Sequence, residues 1–282
     1  MRLIVHLGFH KTASTYLQHL LNGNARALAA RGIWYQPQKH YPAHHQAAWA
    51  LLGGDGMQLE VMLRSAKLSG CDTVILSSED LEALPFNPQV AATIEATAAA
   101  AGVTGIEWHI VVREPGAYFA SLHAQLQHHV YADTLVMLRE VLKKGMVFIP
   151  EPLAGGPGAP YWFYCFDHHA YIAGFAARTA HKVVVHDYAD ADPYPGWRML
   201  GSLGALDAIT RLPDAGGENR RLGPDAVASG YRARILDAAG GDLPPEFETL
   251  LAANLAAVPE AARLVGERFG DSYRAAVAAF GA

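Results

Sequence analysis

The sequence predicts an α/β fold of three layers: a central, mainly parallel sheet of about five strands with helices on both faces. Two observations predict it. Short apolar runs suited to buried parallel strands recur at residues 3–7, 32–35, 73–76, 106–112 and 182–186. Between them apolar residues return at helical spacing, as in Leu17, Leu20, Leu21 and Leu28 or Phe119, Leu122 and Leu126. With 282 residues and neither an internal repeat nor a clear linker, the chain reads as one domain over 1–282.

The first run, Leu3-Ile4-Val5 with Leu7, is punctuated by Gly8 and leads directly into a helix. Between strand and helix stand Lys11, Thr12, Ala13, Ser14 and Thr15. Backbone N–H groups, hydroxyls and one ammonium at a helix N-terminus form an anion site, suited to phosphate or sulfate. The stretch is not the nucleoside triphosphate loop G-x-x-x-x-G-K-[ST], because its lysine follows Gly8 by three residues and no Gly-Lys-Ser/Thr appears.

A short second strand at 32–35 is followed by a polar loop over 36–56, where Trp49, Leu51 and Leu52 imply a packed helical turn. His44 and His45 are adjacent, so they do not share a helix face, and surface positions are expected for both. A helix is expected over 57–68. The third strand ends in Ser77-Ser78-Glu79-Asp80, at the sheet edge where open α/β folds bind ligands. Glu79 is therefore the leading candidate for a catalytic base; the plainer alternative is that Glu79 or Asp80 favours a helix N-terminus. Asn87 and Pro88 read as N-cap and first residue of an Ala-rich helix that Gly102 closes.

The fourth strand ends at Arg113, and Pro115 opens a helix that carries Ser121 eight residues beyond the arginine. A guanidinium there suits a phosphate, to which it donates two parallel hydrogen bonds. His123, His128, His129, His168 and His169 show no spacing that converges on a metal, so none is expected. Asp167 reads as an N-cap. Gly155-Gly156-Pro157-Gly158, followed by Tyr161-Trp162-Phe163-Tyr164, is either a lid or acceptor platform or a loop anchored in the core. The last strand ends in Asp187-Tyr188. Beyond it, residues 216–282 read as a helical C-terminal part, with helix starts at Pro224, Pro244 and Pro259 and near Asp271.

The composition, 51% hydrophobic and 17% charged, is that of a globular protein, and the formal charge of −5 argues against a general nucleic-acid binder. Cys71 and Cys165 alone provide neither a disulfide framework nor a cysteine-rich metal site. The first apolar run is too short for a signal peptide or membrane anchor, so the expectation is a cytoplasmic enzyme without membrane or nucleic-acid partners.

Two stretches together, G-F-H-K-T-A-S-T and R-E-P followed by Ser121, resemble the sulfotransferases that use 3′-phosphoadenosine 5′-phosphosulfate (PAPS). Their 5′-phosphosulfate loop runs roughly K-[ST]-G-[ST]-[ST] after the first strand; Ala13 stands where that pattern has glycine. The resemblance covers about half the chain and implies a P-loop-like sulfotransferase fold. It also implies PAPS as co-substrate, adenosine 3′,5′-bisphosphate as product and no metal requirement. Lys11, Thr12, Ala13, Ser14 and Thr15 would hold the 5′ end, and Arg113 and Ser121 the 3′-phosphate. Arg220 or Arg221 in the glycine-flanked loop at 216–223 would close that site, or the loop is a solvated turn. The acceptor elements would lie within 122–180. Lys11 would neutralise the leaving side and Glu79 would serve as base, as in carbohydrate-type enzymes, with His10 as runner-up and His123 behind it. The implied acceptor is a hydroxyl or amine of a carbohydrate or another hydrophilic metabolite. The alternatives are a P-loop small-molecule kinase and a non-catalytic nucleotide-binding protein on the same fold.

Overall fold

The computed structural model describes residues 1–126, 133–150, 159–213 and 222–281. The five expected strands are β1 (Arg2–Gly8), β2 (Ile33–Tyr35), β3 (Thr73–Ser77), β4 (Gly105–Val112) and, at the far edge, Lys182–Asp187. They form one parallel sheet in the spatial order β2, β3, β1, β4 and Lys182–Asp187. The chain leaves β1 toward the β2 edge and leaves β3 and β4 toward the opposite edge. The carboxyl end of β1 is thus the crevice where such sheets bind ligands.

Side chains alternate across β1 with the two-residue period of a strand, and both faces are apolar. Leu3, Val5 and Leu7 face a core built with α3 (His45–Leu52), α4 (Met57–Leu68) and α5 (Pro88–Ala100). Ile4 faces the other way, onto Leu17, Leu20 and Leu21 of α1 (Ser14–Gly23). Helices therefore cover both faces, as expected for three layers. Asn24 ends α1 and separates it from the short α2 (Ala25–Ala29). Its Nδ2 donates to the Arg211 carbonyl at 2.7 Å, tying the turn to a distant segment.

After β4, Glu114 caps α6 (Pro115–Gln125) by accepting from the Gly116 and Ala117 N–H groups at 2.9 and 2.6 Å, with Pro115 at the first helical position. α7 (Thr134–Lys144) leads into a feature absent from the sequence reading, an antiparallel ladder of β5 (Met146–Ile149) and β6 (Trp162–Cys165). Of the two readings of the aromatic run, the core anchor holds for Phe163 and Tyr164, both buried in this ladder. Gly155 to Gly158, His128 and His129 lie outside the described residues.

α8 (His168–Ala176) starts beside Asp167, but the aspartate does not cap it directly. Ser272 Oγ accepts from the His169 N–H at 2.9 Å and donates to Asp167 Oδ1 at 2.5 Å, so the cap is relayed through the C-terminal helix. The last strand, β7 (Lys182–Asp187), is followed by α9 (Trp197–Ser202). α10 (Pro224–Ala239) and α11 (Glu246–Ala256) precede α12 (Val258–Phe280). No separate helix begins near Asp271. Val265, Phe269 and Ala276 continue one buried stripe through it, while Asp271 stands exposed and accepts from Arg274 one turn on.

Candidate active site

The loop from Gly8 to Ser14 turns back over the end of β1. A Cβ on Gly8 would lie 2.1 Å from Ser14 Oγ and 2.8 Å from the His6 ring, so any side chain there would displace both. Lys11 and Ala13 both have φ of 62°, in the left-handed region. Ala13, where the resembled motif has glycine, therefore takes a backbone conformation that glycine adopts freely and alanine at a cost of roughly 1–2 kcal/mol. Thr12 Oγ1 donates to the Phe9 carbonyl at 2.5 Å and lies 3.3 Å from Ser14 Oγ, which fixes the loop from within. Ala13 supplies no side-chain cap to α1, so the helix N-terminus presents its N–H groups without one.

A cleft of about 530 Å³ opens here, lined by His10, Lys11, Ala13, Ser14, Thr15, Glu79, Arg113 and Ser121 together with Tyr41 and Tyr188. It unites residues that follow β1, β3, β4 and β7, with His10 and Tyr188 178 positions apart in the chain. Thr12 is buried beneath it, and Arg220 and Arg221 lie outside the described residues. Arg113 Nη1 donates to the Lys11 carbonyl at 2.8 Å, and its guanidinium stands 4.7 Å from the centre of the Tyr188 ring. Burial, followed by the Arg113 charge, pushes the Lys11 ammonium below its ordinary pKa, while Glu79 opposes the shift.

Ser78 begins a 3-10 turn, Glu79–Ala83, whose carboxylates fan out behind the loop. Glu79 Oε2 accepts from Gln18 Nε2 at 2.8 Å. Glu82 is fully buried: it accepts from the His10 N–H and Nδ1, from the Tyr118 hydroxyl and from the Cys165 N–H. His10 Nε2 stands 3.7 Å from Asp80 Oδ1. Burial works against an imidazolium at His10, but the hydrogen bonds and charges of Asp80 and Glu82 outweigh it and raise the pKa to about 10. Asp80 is held well below the usual carboxylate range, its own burial overcome by His10 and His45.

The expectation that His44 and His45 lie on the surface is wrong. His44 is buried, with Nδ1 accepting from the Ser77 N–H at 3.1 Å, and His45 Nδ1 meets Asp80 Oδ2 at 2.6 Å. His123 is also buried, with Nε2 3.1 Å from Thr134 Oγ1, and is not among the residues lining this cleft.

Sequence reading missed Gln18, Asp80, Glu82 and His45. The spacing of Ser14 and Gln18, one helical turn apart, carried a signal for the first of these. Also missed was a row of polar side chains beneath the loop: His6 meets Ser77 Oγ at 2.8 Å, and His109 Nδ1 meets His186 Nε2 at 2.9 Å. Register explains the row, since His6 pairs with both Ser77 and His109 across neighbouring strands. Burial, then the neighbouring His109, depresses His6 and His186 to about 3 each.

No family model and no curated protein matches this chain. Among the described residues, no group of three or more His, Cys, Asp or Glu is arranged to hold a metal ion, and no helix is long and apolar enough to cross a membrane.

Proposed function

We propose that the protein is a PAPS-dependent sulfotransferase, transferring a sulfuryl group to a hydroxyl or amine of a carbohydrate or another hydrophilic acceptor. The observation that carries this reading is the convergence on one cleft of a lysine-bearing loop at the start of α1, an arginine and serine from the β4–α6 unit, and a carboxylate from the end of β3. The loop supplies N–H groups and hydroxyls for the 5′-phosphosulfate, and Arg113 and Ser121 the charge and hydrogen bonds for the 3′-phosphate.

In the reaction, Glu79 takes the proton of the acceptor as its oxygen or nitrogen forms a bond to sulfur. The bond from sulfur to the phosphate oxygen breaks, and adenosine 3′,5′-bisphosphate leaves with the bonding pair. Lys11 offsets the charge that grows on that leaving oxygen, and the fixed loop donors stabilise it without reorganising. Between the two base candidates, Glu79 suits the task better. His10 is held between two carboxylates as an imidazolium, which has no lone pair to accept a proton.

The test is calorimetric titration with adenosine 3′,5′-bisphosphate in EDTA, followed by incubation with PAPS and a panel of mono- and disaccharides. Metal-independent bisphosphate binding with sulfated product upholds the reading. Magnesium-dependent ATP binding without bisphosphate binding overturns it in favour of a kinase. Bisphosphate binding without transfer across an acceptor panel widened to amines and phenols favours a non-catalytic nucleotide-binding protein.

A further inference from the structure

His45 is the first residue of α3, where the helix dipole disfavours a positive ring. Its surroundings reverse that preference. Nδ1 meets Asp80 Oδ2 at 2.6 Å and lies 3.1 Å from Ser78 Oγ. Nε2 stands 3.9 Å from Glu79 Oε1. The ring packs against Tyr41, at 4.9 Å and 36°, and Trp49, at 5.7 Å and 14°. Imidazole orientation is therefore held by two aromatic contacts and at one nitrogen, with Nε2 3.9 Å from the carboxylate that lines the cleft.

We propose that His45 is a positioning residue for Glu79: the Asp80-held ring stands against one Glu79 oxygen while Gln18 hydrogen-bonds the other, and together they set the direction from which the carboxylate meets an acceptor. This inference rests on the reading of Glu79 as the base. The groups facing His45 are Asp80 and Glu79 from the turn after β3, His10 from the anion loop and His44 beside it on the chain; Lys11 faces Glu79 from the other side. Burial lowers the pKa of His45, but Asp80 followed by Glu79 outweighs it and raises it above the ordinary histidine value, which favours the charged ring. A cation beside the base makes it less basic, so the benefit is orientation and retention of the ionised form.

Two measurements test the pairing. In the first, the ring resonances of His45, assigned by difference against His45→Asn, are titrated in wild type and in Glu79→Gln. The expected result is a titration midpoint at least half a pH unit lower in Glu79→Gln, with bisphosphate affinity within twofold; an unmoved midpoint overturns the inference on its own. In the second, His45→Asn, which retains a donor for Asp80, and His45→Gln are assayed with PAPS and the acceptor identified from the saccharide panel. Both should lose at least tenfold in kcat, with little change in KM for PAPS, and the pH profile should change shape. Full kcat with an unaltered profile in His45→Asn also overturns the inference. Absence of transfer by wild type, together with a shifted His45 midpoint, overturns the sulfotransferase reading and upholds the pairing.

Discussion

Glu82 receives two hydrogen bonds from His10, one from the backbone N–H and one from ring Nδ1, each at 2.9 Å. A carboxylate that accepts from both ends of one residue fixes its backbone and side chain together. Because His10 immediately precedes Lys11, Glu82 holds the anion loop by its root. Its remaining bonds, to Tyr118 and the Cys165 N–H, join that root to α6 and β6. Glu82→Gln should cost roughly 3 kcal/mol, because an amide cannot accept all of these donors and deprives the buried His10 of one of its two carboxylates. Urea denaturation measures this, and a change below about 1 kcal/mol would contradict it.

Arg113→Ala should weaken bisphosphate binding by about 2 kcal/mol, the scale of a charge-assisted hydrogen bond. Arg113→Lys should recover only part, since an ammonium keeps the charge but not the planar fork. Calorimetry on the two variants decides the point.

Lys11→Ala should reduce turnover by a larger factor than bisphosphate affinity, because the charge it meets is greatest as the leaving group departs. A loss confined to binding would make Lys11 a ligand-holding residue alone. Glu79→Gln should abolish transfer to a hydroxyl acceptor and leave the bisphosphate titration unchanged.

Gly8→Ala should block the loop from closing over β1, given the 2.1 Å approach to Ser14 Oγ, and should abolish bisphosphate binding. Ala13→Gly should be tolerated, since glycine relieves the left-handed alanine while adding freedom to the unfolded chain. Thermal unfolding and a bisphosphate titration on both variants separate these outcomes.

The buried histidines set the pH range of stability. His6 and His186 are held to about 3, and His44 and His168 to about 4, chiefly by burial. Between those values and about 6.5, the ordinary histidine pKa, the unfolded chain binds protons that the native protein does not. Stability therefore falls with acid, by up to about 1.4 kcal/mol per pH unit for each ring. His10 acts with the opposite sign. Its pKa is raised to about 10, so its contribution is complete below about 6.5 and is lost as pH rises toward 10. Denaturation midpoints measured from pH 4 to 10 should peak near neutrality.

Five parallel strands were legible because each is a short apolar run with its own punctuation. The β5–β6 ladder was not: its strands are four residues each, and their pairing depends on contacts across the chain. Lys11, Arg113 and Glu79 stand just past strand ends, which share one edge in a parallel sheet, and Ser121 was singled out through the family resemblance and its spacing from Arg113. Gln18 was legible only as a residue on the helix face of Ser14; its bond to Glu79, like the bonds of Glu82 to His10, joins residues more than 60 positions apart. His44 and His45 misled for a related reason. Adjacent residues on a helix start do face different ways, but here one faces the sheet and the other the site.

Lys11 and Ala13 occupy the left-handed basin in a loop already pinned by Thr12, Arg113 and Glu82. A loop pinned at these points has little left to rearrange. An incoming anion meets a receptor with little ordering entropy left to lose. Association should accordingly be fast and governed by ionic strength, and differences in affinity among anions should reflect how well each fits a fixed mould.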